Sequence, residues 1–75
     1  MFRQKVKVWL EEVMFTMGCA RINDVFGRIF EIHYKEIPPE RYWTWPYDAR
    51  WAATELRKEG KLKKNSPNGV WEWNK

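Results

Sequence analysis

Hydrophobic spacing predicts a helix over residues 2–17. Five apolar side chains recur every three or four positions and so lie on one face of an amphipathic helix: Phe2, Val6, Leu10, Val13 and Met17. Gly18 supplies the helix end. The alternation over residues 5–8 is also typical of a strand, but the helical spacing covers more of the segment, so we favour the helix.

A second helix is predicted after a short connector at residues 19–22, which can pair as a minor strand. Asn23 and Asp24 are suitable N-cap residues for this helix. Its apolar side chains keep helical spacing: Val25, Phe26, Ile29 and Phe30. We expect the helix to end between Phe30 and Lys35, because the consecutive prolines at 38 and 39 exclude a continuing helix.

Residues 36–46 are too aromatic for a flexible linker, and we expect an ordered loop that packs its own rings against the domain. A third helix is predicted over residues 46–59. Pro46 suits the first turn, Asp48 complements the helix dipole, and Gly60 closes the helix. Its apolar stripe is narrow and consists of Ala49, Ala52, Ala53 and Leu56.

The last segment, residues 61–74, predicts a β-hairpin. Pro67, Asn68 and Gly69 are typical of a type I turn closed by a glycine bulge. Alternation along the two strands predicts that three side chains point toward the core: Leu62, Trp71 and Trp73. Three others are predicted to point toward water: Lys61, Lys63 and Asn65.

The chain has 75 residues, which predicts one domain spanning 1–75. Hydrophobic residues make up 44% and charged residues 32%, as in soluble globular proteins. No segment approaches a membrane span in length and apolarity. We expect an unprocessed cytoplasmic protein, with the lone Cys19 as a small buried hydrophobe.

The formal net charge is +4, and its distribution is uneven. Residues 1–40 carry equal numbers of basic and acidic side chains, so the whole excess lies in residues 41–75. A one-sided positive field favours a polyanionic partner. A solvated surface kept soluble by its charge explains the same imbalance.

Two segments resemble a winged helix-turn-helix domain, residues 49–62 and residues 69–73. The likeness is strongest to the winged helices of restriction-endonuclease-associated and Mrr N-terminal modules, in which a recognition helix ends in glycine and is followed by the wing. The resemblance covers about the last third of the chain and implies an α+β fold. That fold has three helices with a C-terminal two- or three-stranded β-wing. The aromatic stretch 37–45 is longer than a typical turn of this motif, and Ala53 replaces a larger aliphatic residue.

The resemblance implies duplex DNA binding, with helix 46–59 in the major groove and hairpin 61–74 on the backbone. Arg50 is the best candidate for a base contact, since a guanidinium can bridge guanine O6 and N7. The candidate DNA-binding residues are Tyr47, Arg50, Trp51, Thr54, Arg57, Lys58, Lys61, Lys63, Lys64, Asn65 and Asn68.

Each of these residues also has a structural explanation. In that explanation, Arg50, Arg57 and Lys58 form an ordinary solvated helix face, and the lysines at 61–64 blunt an edge strand against aggregation. Trp51 fits packing against the 43–45 loop better than stacking on a base. Glu55 and Glu59 on the same helix would repel phosphate.

No catalytic constellation is visible, and we expect neither enzyme activity nor a cofactor or metal. His33 and Cys19 have no defensible nucleophile–base spacing, and His33 is interpreted as a helix-end residue. The alternative function is a protein-interaction or inhibitor module, encoded by a phage or mobile element, that binds through Tyr42, Trp43, Trp45 and Tyr47. A monomer or a homodimer fits either function.

Overall fold

The computed structural model of the chain describes residues 2–66 and 68–74. Three α-helices are present in these ranges: α1 (Phe2–Met17), α2 (Ile22–His33) and α3 (Trp45–Lys58). Two strands, β1 (Cys19–Arg21) and β2 (Val70–Glu72), form an antiparallel sheet. Two short 3-10 helices, Tyr34–Glu36 and Pro39–Arg41, connect α2 to α3. The α+β class predicted from the sequence is confirmed.

Helix α1 packs against both other helices and supplies the largest part of the core. The predicted bounds of this helix are confirmed, and so is its buried face: Val6, Leu10 and Val13 are buried, together with Trp9 and Met14. Phe2 is half-buried at the edge of the core, and Met17 is exposed. The helical period therefore located the core of this segment correctly except at its last residue.

Helix α2 begins at Ile22, which corrects the prediction of an N-cap at Asn23 or Asp24. Its N-cap is Arg21, the last residue of β1, and no side chain caps the helix. The Ile22 amide donates a hydrogen bond to the Gly69 carbonyl at 2.8 Å. Pairing of the preceding strand thus decides where the helix starts. Its end at His33 lies inside the predicted interval.

Helix α3 buries the predicted alanine stripe completely, with Ala49, Ala52, Ala53 and Leu56 all in the core. The small side chains allow α3 to approach α1 closely. Gly60 has a φ of 81°, and the Lys61 amide beyond it donates to the Leu56 carbonyl at 2.9 Å. The left-handed glycine satisfies the carbonyls at the end of the helix, as predicted.

The sheet differs in part from the predicted hairpin. Strand β2 pairs along its length with β1, Ala20 lying opposite Trp71. Residues 61–65 contribute a single antiparallel bridge, Leu62 to Trp73, instead of a full strand. The Glu72 carbonyl accepts from the Lys63 amide at 2.9 Å, so the abbreviated strand remains attached to the sheet. The predicted turn type depends on Pro67, which lies outside the described residues.

Two sequence expectations about burial are resolved by the packing. Leu62 and Trp71 are buried and Trp73 is half-buried, as the alternation predicted. Cys19 is exposed, because β1 lies at the surface, and the prediction of a buried thiol is wrong. Within the described ranges, no helix has the length and apolar content needed to cross a membrane.

Candidate nucleic-acid interface

The exposed face of α3 carries four side chains at spacings of three, four and four residues: Tyr47, Arg50, Thr54 and Lys58. They lie opposite the buried alanine stripe, since a helix that buries one face presents the other. All four were predicted as DNA-binding residues, and the structure brings them together on one helical surface.

Arg50 is exposed and has no ion-pair partner within residues 2–66 and 68–74. One turn later, the Thr54 hydroxyl donates to the Arg50 carbonyl at 3.2 Å. This bond uses the hydroxyl proton and leaves the oxygen lone pairs as acceptors. The helix therefore offers a guanidinium donor next to a hydroxyl acceptor.

Trp51 does not belong to the exposed face. It is half-buried against the core, and the Arg3 guanidinium lies 4.9 Å from the centre of its ring. Trp43, in the 43–45 loop on which Trp51 was expected to pack, is 89% exposed, so the Trp43 ring does not cover Trp51. Base stacking by Trp51 would require displacement of Arg3.

Near the end of α3, charge is partly neutralised within the helix. The Lys58 ammonium lies 3.4 Å from Glu55, and both side chains retain solvent contact. An exposed pair of this kind contributes little and breaks readily. Arg57 is half-buried and has no ion-pair partner in the described part of the chain.

Lys61 is engaged in a network that joins α1 to the end of α3. Its ammonium donates to Glu11 at 2.7 Å and lies 3.5 Å from Glu59, which also pairs with Lys7. The hydrogen bond to Glu11 raises the pKa of Lys61, and the bond from Lys7 lowers the pKa of Glu59. Lys61 was predicted to point to water and contact phosphate; its side chain is 43% exposed, and its ammonium is paired with carboxylates in this fold.

The remaining hairpin residues fit their predicted exposure. Lys63, Lys64, Asn65 and Asn68 are exposed. Lys63 lies 4.0 Å from the Glu72 carboxylate across the bridge, whereas Lys64 has no ion pair among the residues described. The wing, defined here as the described residues 63–66, 68 and 69, thus presents two lysines and two amides to solvent.

The aromatic stretch before α3 divides into one buried and several exposed rings. Trp45 is only 5% exposed and packs edge-to-face on Phe26, with ring centroids 5.5 Å apart. Trp43 is 89% exposed, and Tyr42 and Tyr47 are also exposed. The expectation that the loop packs its rings inward is wrong for Trp43. Trp45 is likewise withdrawn from the candidate protein-binding surface, because it starts α3 and turns into the core.

Two arginines that the sequence interpretation did not single out lie beside the start of α3. Arg3 Nε donates to Asp48 Oδ1 at 3.2 Å, and Arg41 Nη1 lies 4.0 Å from Asp48 Oδ2. Arg3 is remote from α3 in sequence, and Arg41 lies four residues before its start. The only signal in the sequence for cations at this place is Asp48, the acid in the first turn of α3.

His33 has the structural position expected for it, as the last residue of α2. Its ring stacks on Trp9, and its Nδ1 pairs with Glu36. In residues 2–66 and 68–74, no three His, Cys, Asp or Glu side chains are grouped as metal ligands would be.

Comparisons of the chain with protein-family models, curated proteins and solved structures give no significant match.

Proposed function

We propose that this chain is a non-enzymatic, winged-helix DNA-binding module. In this proposal α3 enters the major groove of duplex DNA and the wing lies along the backbone. The order of elements supports it: a helix, a short strand, two further helices, then a bridged segment returning to the first strand.

The observation that carries the proposal is the solvent-exposed row of Tyr47, Arg50, Thr54 and Lys58. A single helix fits the major groove, which is about 12 Å wide. Side chains spaced along one helical face then reach successive base edges. The opposite face of α3 packs Ala49, Ala52, Ala53 and Leu56 into the core, so the helix is anchored behind this row.

Arg50 would read a guanine, because its guanidinium is exposed and is not engaged by a carboxylate of the described residues. Lys63 and Lys64 would contact phosphates, which positions the protein without selecting sequence. The distant pair of 4.0 Å between Lys63 and Glu72 is too weak to prevent this contact.

The test is a titration of labelled duplex DNA, followed by fluorescence anisotropy at several salt concentrations. Replacement of Lys63 and Lys64 by alanine is expected to reduce the magnitude of the salt slope by up to roughly two. A double variant with the same loss of charge elsewhere, Lys5→Ala/Lys35→Ala, is the control and is expected to keep the wild-type slope. Lack of binding at low salt, or equal slopes for both variants, would contradict the proposal.

A second candidate function is binding of a protein through the aromatic surface, defined as Tyr42, Trp43 and Tyr47. The 89% exposure of Trp43 favours it, because large aromatic side chains anchor protein interfaces. Of the six tryptophans, Trp43 alone is exposed. Iodide quenching of wild-type and Trp43→Phe protein therefore isolates its signal.

A photo-crosslinking residue at position 43 tests the second candidate. The probe is expected to form a discrete covalent adduct with a partner protein. Excess unlabelled wild-type chain should compete for that partner and suppress the adduct, whereas excess Trp43→Ala chain should not. The same probe at the exposed Ile32 serves as control. Adducts with DNA alone, or equal suppression by both competitors, would reject the aromatic surface as a protein-binding site.

A further inference from the structure

A buried carboxylate at the start of α3 lies beside two arginines from two other elements of the chain. The Asp48 side chain is only 7% exposed and lies between Arg3 of α1 and Arg41 of the second 3-10 helix. Its Oδ1 accepts from Arg3 Nε, and its Oδ2 has no hydrogen bond within the described ranges. Three separate segments therefore converge on one acid.

Each guanidinium is also supported by an aromatic ring. Arg3 lies 4.9 Å from the ring centre of Trp51, and Arg41 lies 5.5 Å from that of Phe2. The aromatic rings and the Asp48 carboxylate contact the two guanidinium groups and restrict the orientation of these groups before a ligand binds. Restricted side chains lose less entropy when they bind.

Both arginines keep donors for a ligand. Their side chains are 52% and 48% exposed, and a guanidinium has five N–H donors, of which Asp48 engages only a part. Phe2, Arg3, Arg41 and Asp48 line a surface cavity of about 430 Å³. This volume lies in the range of small-ligand sites and admits a phosphate group.

The charge of the cavity selects an anion. Two guanidinium groups and one carboxylate leave a net positive charge, and the first turn of α3 adds the positive end of its dipole. Guanidinium groups bind phosphate oxygens in bidentate geometry. Asp48, which lines the cavity, directly follows Tyr47, the first residue of the exposed row of α3.

We propose that Arg3 and Arg41, held beside each other by Asp48, form a phosphate-binding site that takes one backbone phosphate of duplex DNA at the start of α3. This inference rests on the proposed DNA-binding function. It adds a phosphate contact at the start of the recognition helix to those proposed for Lys63 and Lys64.

The first experiment needs no DNA. Inorganic phosphate is titrated into ¹⁵N-labelled protein while the Nε–Hε signals of the arginines are recorded, with chloride at matched ionic strength as reference. Saturable shifts are expected for Arg3 and Arg41, and none for Arg28, an exposed arginine paired with Glu31. Absence of phosphate-specific shifts at Arg3 and Arg41 overturns the site, whatever the protein does with DNA.

The second experiment measures the salt slope for duplex DNA. Arg3→Gln/Arg41→Gln is expected to reduce its magnitude by about 0.9, the contribution of one phosphate. Lys5→Gln/Lys35→Gln, which loses the same charge, is expected to leave it unchanged. An unchanged slope in the arginine variant, with DNA still bound, overturns the site but not the DNA-binding function.

The two experiments together identify the source of the phosphate. Arginine shifts with inorganic phosphate, in a protein that binds no duplex at low salt, would overturn the DNA phosphate as ligand and with it the proposed function. Shifts in both experiments support a site for a DNA backbone phosphate.

Discussion

The imidazole of His33 stacks on the indole of Trp9, with ring centroids 4.4 Å apart and planes inclined by 11°. This contact joins the end of α2 to the middle of α1. His33 also pairs with Glu36, which connects the helix end to the following 3-10 helix. A residue with no catalytic geometry thus has a clear role in docking two helices.

His33→Ala is expected to lower the free energy of unfolding by about 1 kcal/mol, the contribution of an aromatic pair of this kind. Urea denaturation followed by circular dichroism measures the change. The neighbouring Ile32→Ala is the control, because Ile32 is exposed, and it is expected to stay within about 0.5 kcal/mol of wild type. Equal losses in both variants would show that stacking on Trp9 is unimportant.

The lowered pKa of Glu59, caused first by its hydrogen bond from Lys7, links stability to pH. A pKa below that of the unfolded chain stabilises the fold above the unfolded pKa, about 4.3 for a glutamate. This contribution is lost as the pH falls through the folded pKa. The urea midpoint of Glu59→Gln is therefore expected to fall less steeply than that of wild type between about pH 5 and pH 3.

Glu40→Gln is the control for this titration, because Glu40 is exposed and forms no ion pair with the residues described. Its midpoint should follow the wild-type pH dependence. A wild-type slope in Glu59→Gln would mean that the Lys7 pair does not influence folding.

Ala53→Leu is expected to destabilise the protein by about 1–3 kcal/mol, because α3 packs closely on the core and has no room for a larger side chain there. For a domain of this size, that corresponds to a fall in melting temperature of roughly 4–8 °C per kcal/mol. Calorimetry measures the shift. Thr54→Leu is the control on the exposed face, and a similar fall in both variants would argue against tight packing at Ala53.

Gly69→Ala and Gly27→Ala are expected to change stability in opposite directions. Gly69 has a φ of 77°, so alanine there is strained by about 1–2 kcal/mol. Gly27 lies exposed inside α2, where alanine is favoured by about 0.5–1 kcal/mol. A Cβ atom meets nothing within 4 Å at either position, so the difference reports backbone conformation alone. Chemical denaturation measures both, and a stable Gly69→Ala would contradict the left-handed turn.

Lys61 and Lys64 are expected to separate stability from DNA binding. Lys61→Gln removes the ion pairs to Glu11 and Glu59 and should lower the urea midpoint with little change in the salt slope for duplex DNA. Lys64→Gln should leave the midpoint unchanged and reduce the magnitude of the salt slope by about 0.9. If Lys61→Gln instead reduced the salt slope and left the urea midpoint unchanged, Lys61 would belong to the DNA-contacting surface.

The helices were predictable because each carries its own periodic signal. The stripe from Ala49 to Leu56 and the face from Val6 to Val13 report burial locally, and Gly60 marks a helix end without reference to the rest of the chain. The start of α2 was missed because strand pairing, including the bond from Ile22 to Gly69, decides it. That bond joins segments far apart in sequence.

The candidate site was predictable only where exposure followed from the helical period, as for Arg50 and Thr54. Trp43 is exposed and Trp45 is buried although both belong to one aromatic run, because α3 begins at Trp45 and directs that ring into the core. The pairing of Lys61 with Glu11, and of Arg3 with Asp48, depends on tertiary contacts that no local pattern encodes.

The pairing of β1 with β2 also sets an order of assembly. The two strands lie roughly 50 residues apart, so their pairing must close a long loop, and the entropy cost of closing a loop rises with its length. During synthesis, β1 can have no partner until residue 72 has left the ribosome. Until then the apolar side chains that Trp71 covers are exposed to water, and the nascent helices must remain soluble without β2.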